Sequence, residues 1–246
     1  FDYGYENNTV ALFTEAEVFL SQDLAFNVGL RSSNASIVEE FTIEPRVSVA
    51  YKIAKKSQLS LAYGSFYQTA NPDYLKFSQN LKYENTNHYI LNYLYNDNGK
   101  MFRAEAYFKD YSNLVKFDST ISSYNSNFNN KGFGYAKGLD LFWRDNKTFK
   151  GLDYWITYSF IDSERDYKNY EKQVTPSFIA NHNFSIVTKY WVDKLKSQIG
   201  LTYSFNSGRP YDNPNETEFM NQTTKSFNNL SLGWSYLLTQ QKILYL

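Results

Sequence analysis

His182 and Ser185 are the residue types in this 246-residue chain that first suggest covalent chemistry. They stand in His182-Asn183-Phe184-Ser185. A serine nucleophile needs a base within hydrogen-bond reach. The segment alternates as a strand does, and successive strand side chains leave opposite faces. Positions 182 and 185 differ in parity, so the two side chains point apart and no enzyme is expected. Glu15 and Glu17 share one face of their segment, as do Glu44 and Arg46. Such carboxylates suit a hydrated wall whose charges balance across neighbouring strands. Asp162, Glu164, Arg165 and Asp166 fall where a strand enters a long loop, a position that reads as solvated. With two histidines, His88 and His182, and no cysteine, neither a metal centre nor a cofactor is expected.

The better binding candidates are aromatic residues in the long connections: Tyr74, Phe77, Tyr124, Phe128, Tyr167, Tyr170, Tyr211 and Phe219. An exposed loop aromatic costs solubility unless it packs or binds something. The competing expectation is that these loops pack against themselves.

What must position them is a set of strands. In Leu195–Asn206 the odd positions are Leu195, Ser197, Ile199, Leu201, Tyr203 and Phe205, and the even ones are all polar or glycine. Met101–Lys109 sets Phe102, Ala104, Ala106 and Phe108 against Arg103, Glu105 and Lys109. The period of two recurs in twelve segments, at about 9–20, 24–33, 42–53, 58–68, 84–95, 100–116, 133–144, 152–163, 182–192, 195–206, 227–237 and 242–246. Connections alternate short and long. The short ones include Ser21–Asp23, Ala54–Lys56 and Asn96–Gly99, where Asn98-Gly99 is a type I′ hairpin signal. The long ones are about 34–41, 69–83, 117–132, 164–181 and 207–226. Nothing reads as a linker or domain boundary, so 1–246 is one unit.

This double alternation predicts an all-β, antiparallel transmembrane β-barrel with short turns at one end and longer loops at the other. A soluble sandwich would bury the apolar face instead, but strands of ten or more residues exceed the usual ~5–6. Aromatics make up 19% of the chain, which suits interfacial girdles. Tyr63, Tyr158, Phe160, Tyr203 and Phe205 fall towards the long-loop end, and Tyr51, Tyr93, Tyr95 and Tyr190 towards the short-turn end. No run of ~18 apolar residues offers a helical span. Net charge is zero with no basic run, so nucleic acid is not an expected partner.

The order of several motifs resembles the C-terminal half of a TonB-dependent outer-membrane receptor. Glu44-Pro45-Arg46-Val47-Ser48-Val49-Ala50-Tyr51 resembles that family's "PR" strand. Tyr63–Gln68 and Asn71-Pro72-Asp73-Tyr74-Leu75 resemble the strand and loop that follow. Phe102–Leu114, Gly138-Leu139-Asp140-Leu141 and Ser207-Gly208-Arg209-Pro210-Tyr211 continue the match. Leu246 departs from the aromatic residue that ends the family's closing strand. The resemblance implies a barrel of about 22 strands, of which about twelve lie here. The plug domain, the first strands and the TonB-contacting segment would lie in an N-terminal region absent from this sequence. It implies multi-pass residence in the outer membrane of a Gram-negative bacterium, among outer-membrane lipid. It also implies capture of a small ligand, such as a ferric siderophore, glycan or peptide, at the cell surface and import with energy from the TonB complex. Two other roles fit the same pattern: a passive channel, or a barrel scaffold in a larger surface or secretion complex, with a surface lipoprotein among its subunits. The abrupt ends at Phe1 and Leu246 read as those of a segment of a longer chain.

Overall fold

A computed structural model describes residues 6–246. Ten strands run in chain order: β1 (Thr9–Phe19), β2 (Leu24–Ala35), β3 (Glu44–Ala54), β4 (Ser57–Gln68), β5 (Glu84–Asp97), β6 (Lys100–Phe117), β7 (Phe128–Asp145), β8 (Leu152–Asp166), β9 (His182–Val192) and β10 (Ser197–Asn206). A small ribbon follows, of β11 (Pro210–Tyr211) and β12 (Gln222–Thr223), and then β13 (Phe227–Thr239) and β14 (Lys242–Tyr245). All but the ribbon form one 12-stranded sheet in which each strand pairs antiparallel with the next. The all-β expectation and its twelve segments are therefore met. A single helical turn, α1 (Pro72–Leu75), interrupts the loop after β4. No helix among the described residues is long and apolar enough to cross a membrane.

Local chemistry explains the ends. Asn98 and Gly99 both take positive φ, 39° and 90°, as a type I′ turn requires. The φ of Gly99 lies where an L side chain is strained, which is why glycine stands there. β7 starts at Phe128, five residues earlier than the alternation suggests, because Phe128 pairs with Phe117 of β6. Asp118 closes the loop between them by accepting hydrogen bonds from the Asn127 amide and side chain. β10 starts at Ser197 because Lys196 turns left-handed (φ 46°) after a 3-10 turn at Asp193–Leu195.

Cross-strand partners share a face, so the register can be followed across the sheet. Phe26, Val49, Leu61, Leu91 and Ala106 are successive partners from β2 to β6. Leu201 joins Leu232 in the same way. This apolar face is uncovered: Leu232 is 72% exposed, Leu61 53% and Val28 51%. In water a continuous apolar face of this kind is untenable for a soluble monomer. Aromatic pairs rim it at both ends. Tyr63–Tyr89 (5.2 Å between ring centroids) and Phe184–Tyr203 (6.3 Å) lie towards the long loops, while Tyr93–Phe102 (6.1 Å) lies towards the short turns.

The opposite face is polar. One row reads Glu15, Gly29, Arg46, Gly64, His88, Lys109 from β1 to β6. Buried Glu44 lies 3.6 Å from Arg46 and 3.8 Å from Arg31, and accepts hydrogen bonds from Ser33 and Thr42. One carboxylate thus serves two arginines, one on β2 and one on β3. The fully buried apolar cluster, Ala70, Leu75, Leu81 and Val115, sits among the long loops and not under the sheet.

Candidate ligand site at the long-loop end

Three of the long loops are held by polar contacts, to neighbouring strands or to each other. Asn130 exchanges hydrogen bonds with the Lys82 backbone (2.9 and 3.2 Å), joining the loop after β4 to the start of β7. Lys116 binds Asp166 and the Tyr170 carbonyl, joining β6 to the loop after β8. Lys172 pairs with Glu218 at 3.0 Å, which reaches the loop after β10. Each tie satisfies a polar group that a mobile loop would leave to water.

The eight aromatic candidates separate into groups on these loops. Tyr74 and Phe77, on and after α1, pack against Phe128, with centroids 6.1 and 6.4 Å away. Tyr124 stands edge-on to Phe77 at 5.1 Å, and Phe117 completes the group. Asn71 caps α1 by accepting the Asp73 amide hydrogen bond, which fixes where Tyr74 points. A second group joins Tyr167, Tyr170 and Phe219, at 4.9 and 5.1 Å. Tyr211 lies apart, in β11 opposite Gln222. Burial raises the phenol pKa of both Tyr74 and Tyr167 above the ordinary range, with Glu84 adding to the first and Tyr170 to the second.

Beneath the loops the polar face holds a cavity of about 490 Å³. Tyr74 and Tyr167 reach it from the loops. Phe66, Thr86, Tyr111 and Arg165 line it from the strands. These four follow the register: Phe66 pairs with Thr86, Thr86 with Tyr111, Tyr111 with Gly134, and Gly134 with Arg165. The Arg165 guanidinium lies 4.3 Å from the Tyr111 ring centroid, and 5.7 and 5.4 Å from those of Tyr167 and Phe178. The sequence reading placed Arg165 among solvated loop charges and left Thr86 and Tyr111 unmarked. The signal that finds them is positional: all three stand in the long-loop half of their strands and share parity with the polar face.

His182 and Ser185 are divided as the parity argument expects. His182 lies on the apolar face beside Phe160, with Nδ1 2.9 Å from the Tyr158 hydroxyl. Ser185 pairs with Thr157 and Ser204. Among the described residues no group of three or more His, Cys, Asp or Glu could hold a metal ion.

Comparison with known structures shows the same architecture. A ferric enterobactin receptor of Pseudomonas aeruginosa superposes with a TM-score of 0.79 at 15% identity, over 97% of this chain and 39% of its own. The FrpB iron transporter of Neisseria meningitidis gives 0.76 at 13%, over 94% and 38%. The ferric-catecholate import receptor Fiu of E. coli K12 gives 0.73 at 9%, over 95% and 39%. At these identities the likeness is one of fold, and this chain spans under two-fifths of each of those proteins. No curated protein sequence matches. The family model for TonB dependent receptor-like β-barrels does match, over residues 1–243. That family consists of outer-membrane transporters and not enzymes, and with the uncovered apolar face, the two aromatic rims and the polar inner face already in place, this chain belongs to it.

Proposed function

We propose that this segment supplies part of the wall and several extracellular loops of an outer-membrane receptor that captures a small ligand at the cell surface and imports it with TonB-derived energy. The observation that supports this most directly is the cavity on the polar face, roofed by loops that polar contacts anchor to neighbouring strands. Concave sites with aromatic walls and a few convergent polar groups are the usual form of a small-ligand site. Under this reading the apolar face meets acyl chains and the polar face lines the lumen. The long loops lie outside the cell and the short turns in the periplasm. The aromatic loop residues, Tyr74 and Tyr167 above all, provide recognition. A ferric siderophore is the first ligand to try, since the receptors of similar fold carry ferric enterobactin and ferric catecholate in their names.

The remaining strands, the plug and the TonB-contacting segment come from outside 1–246. In the described sheet β1 and β14 each pair on one side, and an unpaired edge in lipid costs several kcal/mol per backbone group. The test is accumulation of radiolabelled iron supplied as ferric enterobactin, with glycan and peptide probes in parallel. Cells carrying the full-length protein are compared with and without functional TonB. Uptake that needs both supports the reading; uptake indifferent to TonB points to a passive channel.

A further inference from the structure

Two buried side-chain polar atoms among the described residues have no hydrogen-bond partner: Thr86 Oγ1 and Arg165 Nε. Both residues line the cavity under the loops. Buried polar groups are nearly always paired, so two orphans in one wall call for an explanation. The cavity's charges are also unusual. Arg165 and Lys168 both line it, and neither forms an ion pair with a carboxylate of the described residues. Aromatic faces hold them instead: Lys168 Nζ lies 5.0 Å from the Tyr167 ring centroid. The carboxylate in the wall, Glu84, is already engaged. It accepts hydrogen bonds from the Gln68 amide group at 2.8 Å and the Val115 backbone N–H at 3.0 Å. The cavity thus carries two cations, one committed anion and an unused hydroxyl.

We infer that this cavity is a subsite for a carboxylate on a flat aromatic body, with Arg165 as counter-charge and Thr86 as hydroxyl donor. The inference rests on the ligand-capture reading and gives that site its chemistry. A guanidinium fork matches a carboxylate in geometry and charge. Stacking on Tyr111 holds that fork in place before the ligand arrives. The phenyl walls of Phe66 and Tyr74 suit a planar ring better than a bare anion.

The test titrates the full-length protein in detergent with benzoate, its neutral isostere benzamide, and inorganic phosphate, followed by saturation-transfer NMR. No TonB is needed, so failure here is separable from failure of energised import. Benzoate is expected to bind about fivefold or more tightly than benzamide and than phosphate, with Arg165→Gln erasing the first ratio. Equal binding of benzoate and benzamide overturns the charge assignment. Phosphate binding as tight as benzoate overturns the aromatic part, and a ratio unchanged in Arg165→Gln overturns the location. Should that variant lose the heat-modifiable barrel, Thr86→Val localises the site. It is expected to lower benzoate affinity about threefold, and unchanged affinity overturns the proposal.

Discussion

Arg165 reaches the Tyr111 ring by crossing Gly134. Gly134 is the register partner of both, on the strand between them. A Cβ at Gly134 would meet the Glu164 carbonyl oxygen at 2.4 Å and Arg165 Cγ at 2.9 Å. The guanidinium therefore lies over β7 because this position has no side chain.

Gly134→Ala is accordingly expected to push Arg165 off Tyr111 and to cost about 1–3 kcal/mol through overpacking against backbone. Denaturant unfolding of the full-length protein in detergent measures the cost. The idea fails if the alanine variant is as stable as wild type.

The face assignment makes a second prediction. Leu201 lies on the apolar face beside Leu232 and Thr188, and Thr202 on the polar face beside Ser231 and Val187. Leu201→Arg should destabilise by roughly 2–4 kcal/mol near the bilayer midplane, and Thr202→Arg by much less. Equal costs in a lipid-bilayer refolding titration would reverse the faces.

Topology gives a third. Asn125 is exposed in the loop between β6 and β7, and Lys194 is exposed in the short turn after β9. A cysteine at Asn125 should react with an impermeant maleimide on intact cells, and one at Lys194 should react after the outer membrane is permeabilised. The opposite pattern inverts the barrel.

The loop cap gives a fourth. Phe128 contacts Tyr74, Phe77 and Phe117 and is half-buried. Phe128→Ala should loosen the cap by about 2 kcal/mol, below the 3–5 of a fully buried ring. Limited proteolysis of intact cells should then cut between Asp118 and Asn127 faster than in wild type. Unchanged cleavage would mean that the ring does not hold the loop.

A fifth concerns pH. Asp145 closes the turn between β7 and β8, where the Thr148 hydroxyl and the Lys147 and Thr148 amides hydrogen-bond to it, with Lys100 3.8 Å away. These donors, the Thr148 hydroxyl first, lower its pKa to about 2. A carboxyl more acidic folded than unfolded contributes stability above its unfolded pKa of about 3.9, and loses it as pH falls towards 2. Asp145→Asn should therefore be less stable at neutral pH and show a shallower decline from pH 5 to 2. An unaltered slope in acid unfolding would remove Asp145 from the account.

The sequence by itself determined the twelve strands, their faces and which connections are short and which long. The reason is that a period of two is local: Leu201 and Thr202 differ in face whatever their partners are. Local chemistry also placed the Asn98-Gly99 turn and kept His182 away from Ser185. The tertiary structure decided what the long loops do. Nothing local says that Tyr74 meets Phe128 while Tyr211 stands apart, because those distances depend on how loops far apart in sequence pack. The row Phe66, Thr86, Tyr111, Gly134, Arg165 was out of reach for the same reason. It needs the register of four strand pairs at once, and one slipped residue in any of them would turn part of the row to the other face.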